Sequence, residues 1–221
     1  MHPNQIAEFS QLFQEFKTSF VDTPAGETHI KSYNQFRESG RKNFETLQWL
    51  FTNKNIVRSA DLTDELTSQI LQTLLPHSNS ANHQEQCVWI HIAPAIAGDV
   101  QTWYNASGFN GDWKEVAYTI FDLIRSCIQN PDRLDSLCQH FSSLACTKGF
   151  QSGMLTPILN ALKPDLFLLV NSKSSRTIGY FTNSKCSPKL EDYPAVNRQG
   201  HQLIRELAPI MNQIWNVSID R

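Results

Sequence analysis

The residues best suited to binding chemistry lie at 171–176, where the sequence reads Asn-Ser-Lys-Ser-Ser-Arg. One amide, three hydroxyls and the cations Lys173 and Arg176 stand side by side in this segment. Such groups donate hydrogen bonds and carry positive charge, so the segment suits an anionic ligand such as a phosphate. A local role is the alternative, in which Ser172 or Ser174 caps the first turn of a following helix. The two roles are compatible because helix N-termini also attract anions.

Positive charge is concentrated in the C-terminal third of the chain. Residues 1–147 contain 10 Lys and Arg against 16 Asp and Glu, whereas residues 148–221 contain 9 against 5. This asymmetry excludes a uniformly basic nucleic-acid-binding protein but allows a basic face within the C-terminal third. The candidate nucleic-acid-binding residues in that third are Lys148, Lys163, Asn171, Ser172, Lys173, Arg176, Lys185, Lys189 and Arg198.

Aromatic residues beside a glycine-rich turn at 107–111 could stack on a planar ligand. Trp103 and Tyr104 precede this turn, and Phe109 lies within it. Aromatic rings in such places stack on nucleic-acid bases, including a base that has been rotated out of a duplex. The same rings could instead anchor the turn onto the core, because aromatic residues more often fill protein interiors.

Signatures of catalysis and of metal binding are weak or absent in the sequence. It has neither of the glycine-rich fingerprints that bind nucleotide phosphates and no Gly-x-Ser-x-Gly nucleophile motif. His83, Cys87 and His91 are spaced by four, which would align them on a helix as zinc ligands. The β-rich residues around Cys87 favour an extended segment, in which that alignment is lost. We therefore expect no metal, no cofactor and no catalytic residue.

The periodicity of apolar residues predicts that helices carry these groups. Apolar side chains at spacings of three and four predict a first helix at about 4–20 and a last helix at about 197–215. Similar stripes between them bring the total to about seven or eight helices. The sequence predicts a mainly α fold, a single globular domain over residues 1–221, with at most a small strand element near residues 87–92.

Local sequence signals predict several helix ends. Asp112 is a predicted N-cap, and Pro131 is predicted to open the next helix at its first position. An apolar helix at 154–162 is expected to end before Pro164. The short apolar run at 167–170 then leads directly into the polar segment described first, which we expect to form a basic loop at the surface.

Composition indicates a folded protein that does not cross a membrane. The chain is 40% hydrophobic with 13 Phe and 5 Trp, which is typical of a globular domain. Its longest apolar runs are too short to span a bilayer, and its first residues lack a signal-peptide pattern. The odd number of irregularly spaced cysteines indicates reduced thiols and a cytoplasmic location. We expect four of the five to be buried: Cys87, Cys127, Cys138 and Cys146.

Three stretches, residues 149–165, 167–174 and 192–195, resemble the N-terminal regions of AAA+ proteins of the McrB type. Those proteins are the motor subunits of modification-dependent restriction systems, and the resemblance extends over residues 145–215. In that family the N-terminal domain recognises DNA, often through a modified base, while a separate domain hydrolyses GTP. The resemblance implies an N-terminal recognition domain of a larger AAA+ protein. The family's base-pocket residues do not carry over to this sequence.

The sequence and the resemblance together lead to an expected function with two alternatives. We expect a DNA-recognition domain of a restriction or phage-defence system that is able to read a modified base and is not itself catalytic. Its partners would be DNA and an AAA+ motor domain or partner subunit. One alternative is a protein-interaction or assembly module of the same system, and the other is a base-processing enzyme with a helical active site.

Overall fold

The structure is a computed structural model that describes residues 3–75 and 112–216. Within these ranges the fold is mainly α, as predicted, with eight α-helices and no strand. The segment near 87–92, where a strand was expected, lies outside the described residues. The helices are α1 (Pro3–Phe16), α2 (Pro24–Asn53), α3 (Asp64–Leu74), α4 (Trp113–Gln129), α5 (Leu134–Ser143), α6 (Ser152–Leu162), α7 (Ser172–Thr182) and α8 (Tyr193–Asn216).

A tight junction joins the first two helices. Past Phe16, α1 continues as a π-helical turn, Lys17–Val21, and Thr23 then caps α2 by accepting a hydrogen bond from the Gly26 amide. Pro24 begins α2 at its first position, where its missing N–H costs nothing. The buried Lys17 ammonium pairs with Asp22 at 2.8 Å and also lies 5.7 Å from the ring centroid of Trp215. The junction therefore ties α1 both to α2 and to the end of α8.

Most of the apolar side chains form one continuous core. It is built by residues of α2 to α8, with Phe51 of α2 stacked on Phe121 of α4 at 3.7 Å. A smaller cluster joins Phe181 of α7 to Leu203 and Leu207 of α8, and Phe9 of α1 packs against it. No residue of α1 is buried, so this amphipathic helix lies on the surface of the fold.

The apolar run that precedes the basic segment forms neither a helix nor a strand, and side chains satisfy its backbone. Asn160 of α6 donates to the Phe167 carbonyl at 2.7 Å. From the opposite side, Asn197 of α8 accepts from the Leu168 amide and donates to the Leu166 carbonyl, both at 2.8 Å. Buried backbone groups need such partners, and here two helices supply what a neighbouring strand supplies in a sheet. Residues 166–171 are thus fixed between α6 and α8, and they set where α7 begins.

Three of the four cysteines expected to be buried lie in the described ranges, and all three are free and buried: Cys127, Cys138 and Cys146. Burial raises the pKa of the Cys127 thiol to about 12 and that of the Cys138 thiol further. The fourth, Cys87, lies outside the described residues. The remaining cysteine, Cys186, is half-buried beside Ser184 and Gln199.

These environments predict which thiols react in the folded protein. Only a thiolate attacks a disulfide reagent, and a raised pKa keeps Cys127 and Cys138 protonated at pH 8. We expect them to react at least about tenfold more slowly than Cys186 in the native protein. Peptide mapping after timed labelling measures each rate, and unfolded protein should yield five free thiols. Equal rates at the three positions would contradict the prediction.

None of the helices in the described part of the chain is both long enough and apolar enough to span a bilayer.

Candidate nucleic-acid interface

The basic segment is the start of a helix rather than a loop, and its cap differs from the expected one. Asn171 is the N-cap of α7, and its side-chain oxygen accepts from the Lys173 and Ser174 amides at 2.9 and 3.0 Å. In return, the Ser174 hydroxyl accepts a hydrogen bond from the backbone amide of Asn171 at 2.8 Å, which completes a capping box. The expectation that Ser172 or Ser174 is the N-cap is wrong. The helix begins at Ser172, and the side chain of the residue before it, Asn171, caps its first turn.

One face of α7 is buried and the opposite face is solvent-exposed. Ser175, Ile178 and Phe181 recur every three residues and are buried. The Ser175 hydroxyl is therefore not part of the surface on which three hydroxyls were expected. On the other face the exposed residues follow the spacing i, i+3, i+4 and i+7: Lys173, Arg176, Thr177 and Tyr180.

The buried face of α7 packs closely on α8 at Gly200. A Cβ atom at Gly200 would lie 2.5 Å from the Leu168 side chain and 3.1 Å from that of Ile178. Gly200 therefore allows the two helices and the segment at 166–171 to approach one another. The buried side of α7 therefore packs against α8, and its cationic face is exposed to solvent.

The charge on the exposed face of α7 is not neutralised by neighbouring acids. Among the described residues, no carboxylate oxygen lies within 4.0 Å of the side-chain nitrogens of Lys173 or Arg176. Residues 166–190 contain four Lys and Arg and no Asp or Glu. The first acid met along this face is Glu8, which accepts a hydrogen bond from the Tyr180 hydroxyl and thereby raises the pKa of Tyr180. The charged side chains in the first two turns of α7 are thus both cations, Lys173 and Arg176.

Two of the predicted phosphate-binding cations are engaged in ion pairs. Arg198 forms a bidentate pair with Asp135, at 2.7 and 3.1 Å, which lowers the pKa of that carboxyl group. Lys189 pairs with Glu191 at 3.1 Å, and this hydrogen bond raises the pKa of Lys189. Both pairs are solvent-exposed, and such pairs contribute little to stability. Each nevertheless places a negative charge beside the cation.

The structure brings some of the predicted residues together and separates others. Lys189 forms a backbone bridge with Gln151 at the start of α6, where Asn171 also lies, 3.8 Å from an ideal Cβ on Gly153. Lys148 is three residues before Gln151, so Lys148, Lys189 and the start of α7 share this end of α6. Lys163 follows the last residue of α6, about 16 Å away along an 11-residue helix. Lys185 likewise follows the far end of α7.

The aromatic residues predicted to stack on a base, Trp103, Tyr104 and Phe109, lie outside the described residues, as do His83, Cys87 and His91. Within residues 3–75 and 112–216, no three His, Cys, Asp or Glu side chains are grouped so as to hold a metal ion.

Two parts of the surface around α7 were not predicted from the sequence. Thr177 and Tyr180 join the cationic face, and the signal that could have found them is their helical spacing of four and seven residues from Lys173. A polar cleft at the opposite end of α7 combines Gln5 of α1 with Gln199 of α8. No local pattern signals that cleft, because its members are 194 residues apart.

Neither a protein-family model, nor a curated protein, nor a solved structure matches this chain. Its function must therefore be inferred from the chemistry of its own surface.

Proposed function

We propose that this chain recognises DNA and that the exposed face of α7 makes the central contact. The observation that carries the proposal is the pair Lys173 and Arg176, exposed on one helical face with no carboxylate in the described residues within 4.0 Å. Unpaired Lys and Arg side chains are the groups that bind DNA phosphates. The N-terminal end of the helix dipole adds positive potential at the same place.

The dimensions of α7 suit a DNA groove. Its 11 residues make a helix about 16 Å long, and the major groove of B-DNA, about 12 Å wide, admits an α-helix. Lys173 and Arg176 are one turn apart and can reach phosphates along one strand, and Thr177 is exposed on the same face. Phosphate contacts of this kind position a protein on DNA without reading its sequence.

The resemblance to the N-terminal regions of McrB-type proteins supports a more specific form of the proposal. In that form the chain is the recognition domain of a restriction or phage-defence AAA+ system, reads a modified base, and delivers the DNA to a motor domain or partner subunit. The chain alone then binds DNA and hydrolyses nothing, since its sequence lacks both a phosphate-binding glycine loop and a nucleophile motif.

Replacing Lys173 and Arg176 together by Ala is expected to weaken DNA binding strongly. Each lost charged contact costs on the order of tenfold in affinity, so the double variant should bind on the order of 100-fold more weakly. The slope of log K against log salt concentration should fall by about 2, because two counterion-releasing contacts are removed. Fluorescence anisotropy with methylated and unmodified duplexes over a salt series measures both quantities.

A matched control carries the same loss of charge elsewhere. Lys31 of α2 and Lys54, directly after α2, are exposed and lie in the acidic part of the chain. The Lys31→Ala, Lys54→Ala variant should keep the wild-type salt slope, and both double variants should unfold within about 0.5 kcal/mol of wild type. If the two double variants lose affinity equally, α7 is not the contact element. If the wild-type chain binds neither duplex at low salt, the proposal is wrong.

A second candidate function, an assembly module, is favoured by exposed apolar side chains near the α1–α8 contact. Leu12, Phe16 and Trp215 are each about half exposed, at 49%, 48% and 49%. Apolar side chains of this size, when grouped, mark protein-protein contacts. This candidate predicts association with a partner subunit that does not weaken with salt. Light scattering of the chain alone and with an AAA+ partner, at low and high salt, would separate it from DNA recognition.

A further inference from the structure

His29 of α2, beside the junction of the first two helices, is a buried imidazole without hydrogen bonds. Only 1% of the residue is exposed to solvent. Neither ring nitrogen has a hydrogen-bond partner in the described part of the chain. The ring packs instead against Phe20 of the π-helical turn, with 5.7 Å between the two ring centroids. Buried polar side chains are normally hydrogen-bonded, so the state of this imidazole calls for an explanation.

The surroundings of His29 favour its neutral form. Burial lowers the pKa of His29, because the cationic ring would lose its hydration. Among the described residues, no carboxylate oxygen lies within 4.0 Å of its nitrogens to offset that loss. At the junction, Lys17 and Asp22 pair with each other at 2.8 Å. Neither α6, which packs along α2, nor residues 207–216 of α8 contain a charged side chain.

The other titratable groups at this end of the fold do not supply an acceptor for His29 either. The Tyr33 hydroxyl hydrogen-bonds to Asn160, and the Arg37 guanidinium lies over the Tyr33 ring, 5.7 Å from its centroid. The remaining groups are solvent-exposed: Glu15 of α1, Glu27 and Lys31 of α2, and Lys163 and Asp165 directly after α6.

The helix on the other side of the junction, α1, is held by few contacts. None of its residues is buried. Phe9 packs edge-on against Phe181 of α7, with 5.7 Å between the ring centroids. Gln5 donates to the Tyr180 carbonyl at 2.9 Å, and Glu8 accepts from the Tyr180 hydroxyl. The opposite end of α1 depends on the packing of the π-helical turn against α2, which includes the contact between Phe20 and His29.

We propose that protonation of His29 opens this junction and releases α1 together with the π-helical turn. A cationic imidazole without an acceptor cannot stay buried beside Phe20. Opening the junction brings water to the ring at the loss of few contacts, whereas unfolding the core built by α2 to α8 would lose far more. Release also takes Phe9 away from the smaller apolar cluster of α7 and α8, which becomes exposed. The junction is thus an acid-sensitive device that controls the attachment of α1.

The closed junction is favoured at neutral pH and loses stability as the pH falls. In the open state the ring takes up a proton with the ordinary histidine pKa of about 6.5, whereas in the closed state its pKa is lower. The opening constant therefore rises up to about tenfold for each pH unit below that value, until the pKa of the closed state is reached. Between pH 7.5 and pH 5.5 we expect an increase of about tenfold.

Hydrogen exchange followed by mass spectrometry at these two pH values tests the proposal. The protection factor, which corrects for the intrinsic pH dependence of exchange, should fall about tenfold over residues 3–22 of the wild-type chain. It should also be lower there than over α4 at both pH values, because α1 opens while the core stays folded. In the His29→Phe and His29→Leu variants, which cannot take up the proton, protection over residues 3–22 should be the same at both pH values.

The matched control is His140→Gln, which replaces an exposed histidine of α5 and should keep the wild-type pH dependence. Circular dichroism confirms that each variant is folded at both pH values. Three results would overturn the inference: unchanged protection over residues 3–22 in wild type, protection there equal to that of α4, or a tenfold fall that persists in a folded His29 variant.

Discussion

The Asn197→Ala variant is expected to lose about 3 kcal/mol of its free energy of unfolding. Asn197 is buried, and its carboxamide satisfies the Leu168 amide and the Leu166 carbonyl at 2.8 Å each. Alanine removes both partners at once, and a buried backbone group without a partner costs about 1–3 kcal/mol. For a protein of this size, 3 kcal/mol corresponds to a fall in melting temperature of about 9 °C.

Urea titration followed by circular dichroism measures this effect, with Asn212→Ala as the control. Asn212 has the same side chain on the same helix but is exposed, so its replacement should change the free energy of unfolding by less than about 0.5 kcal/mol. Equal stabilities for the two variants would mean that the carboxamide of Asn197 does not support the segment at 166–171.

The second large effect is expected at the junction of the first two helices, for Gly26→Ala. A Cβ atom on Gly26 would lie 2.0 Å from the Phe20 carbonyl oxygen and 2.9 Å from that of Val21. Both are backbone atoms of the π-helical turn or its end, so neither can rotate aside. Relieving this clash requires the turn to move away from α2. We therefore expect the variant to lose about 3 kcal/mol of its free energy of unfolding.

Gly153→Ala is the control for the same chemical change in a helix. An added Cβ there would meet its nearest neighbour, the Val170 carbonyl oxygen, at an ordinary 3.6 Å. Alanine is also the better helix former, so this variant should be as stable as wild type or up to about 1 kcal/mol more stable. Thermal melts of both variants measure these effects. A Gly26→Ala protein with the melting temperature of wild type would contradict the packing described for the junction.

Helices whose signals are local were predictable from the sequence. Asp112 caps α4 as expected, accepting from the Lys114 amide at 2.8 Å, and Pro131 opens the short turn that leads into α5. The start of α8 was placed at 197 and lies at Tyr193 instead. Tyr193 is fully buried and its hydroxyl donates to the Leu168 carbonyl, 25 residues earlier in the chain. That contact, which the local sequence does not show, holds Tyr193 at the first position of α8.

In the candidate site, too, local features were predictable from the sequence and long-range contacts were not. The exposure of Lys173 and Arg176 could be predicted, since polar residues after a buried run return to solvent. The pairing of Arg198 with Asp135 could not, because 63 residues separate them and only the packing of α5 against α8 joins them. The cleft at Gln199 is a case of the same kind, for it exists only where three helices meet.

The apolar segment at 166–171 also bears on how the protein avoids aggregation. Its apolar sequence Phe-Leu-Leu-Val, exposed as a free edge, would template the addition of strands from other chains. Helix side chains occupy both edges: Thr156 and Asn160 on one, Tyr193 and Asn197 on the other. The carboxamides and hydroxyls that hold the segment in place thus also shield it from intermolecular pairing, and a chain that lost them would become less soluble as well as less stable.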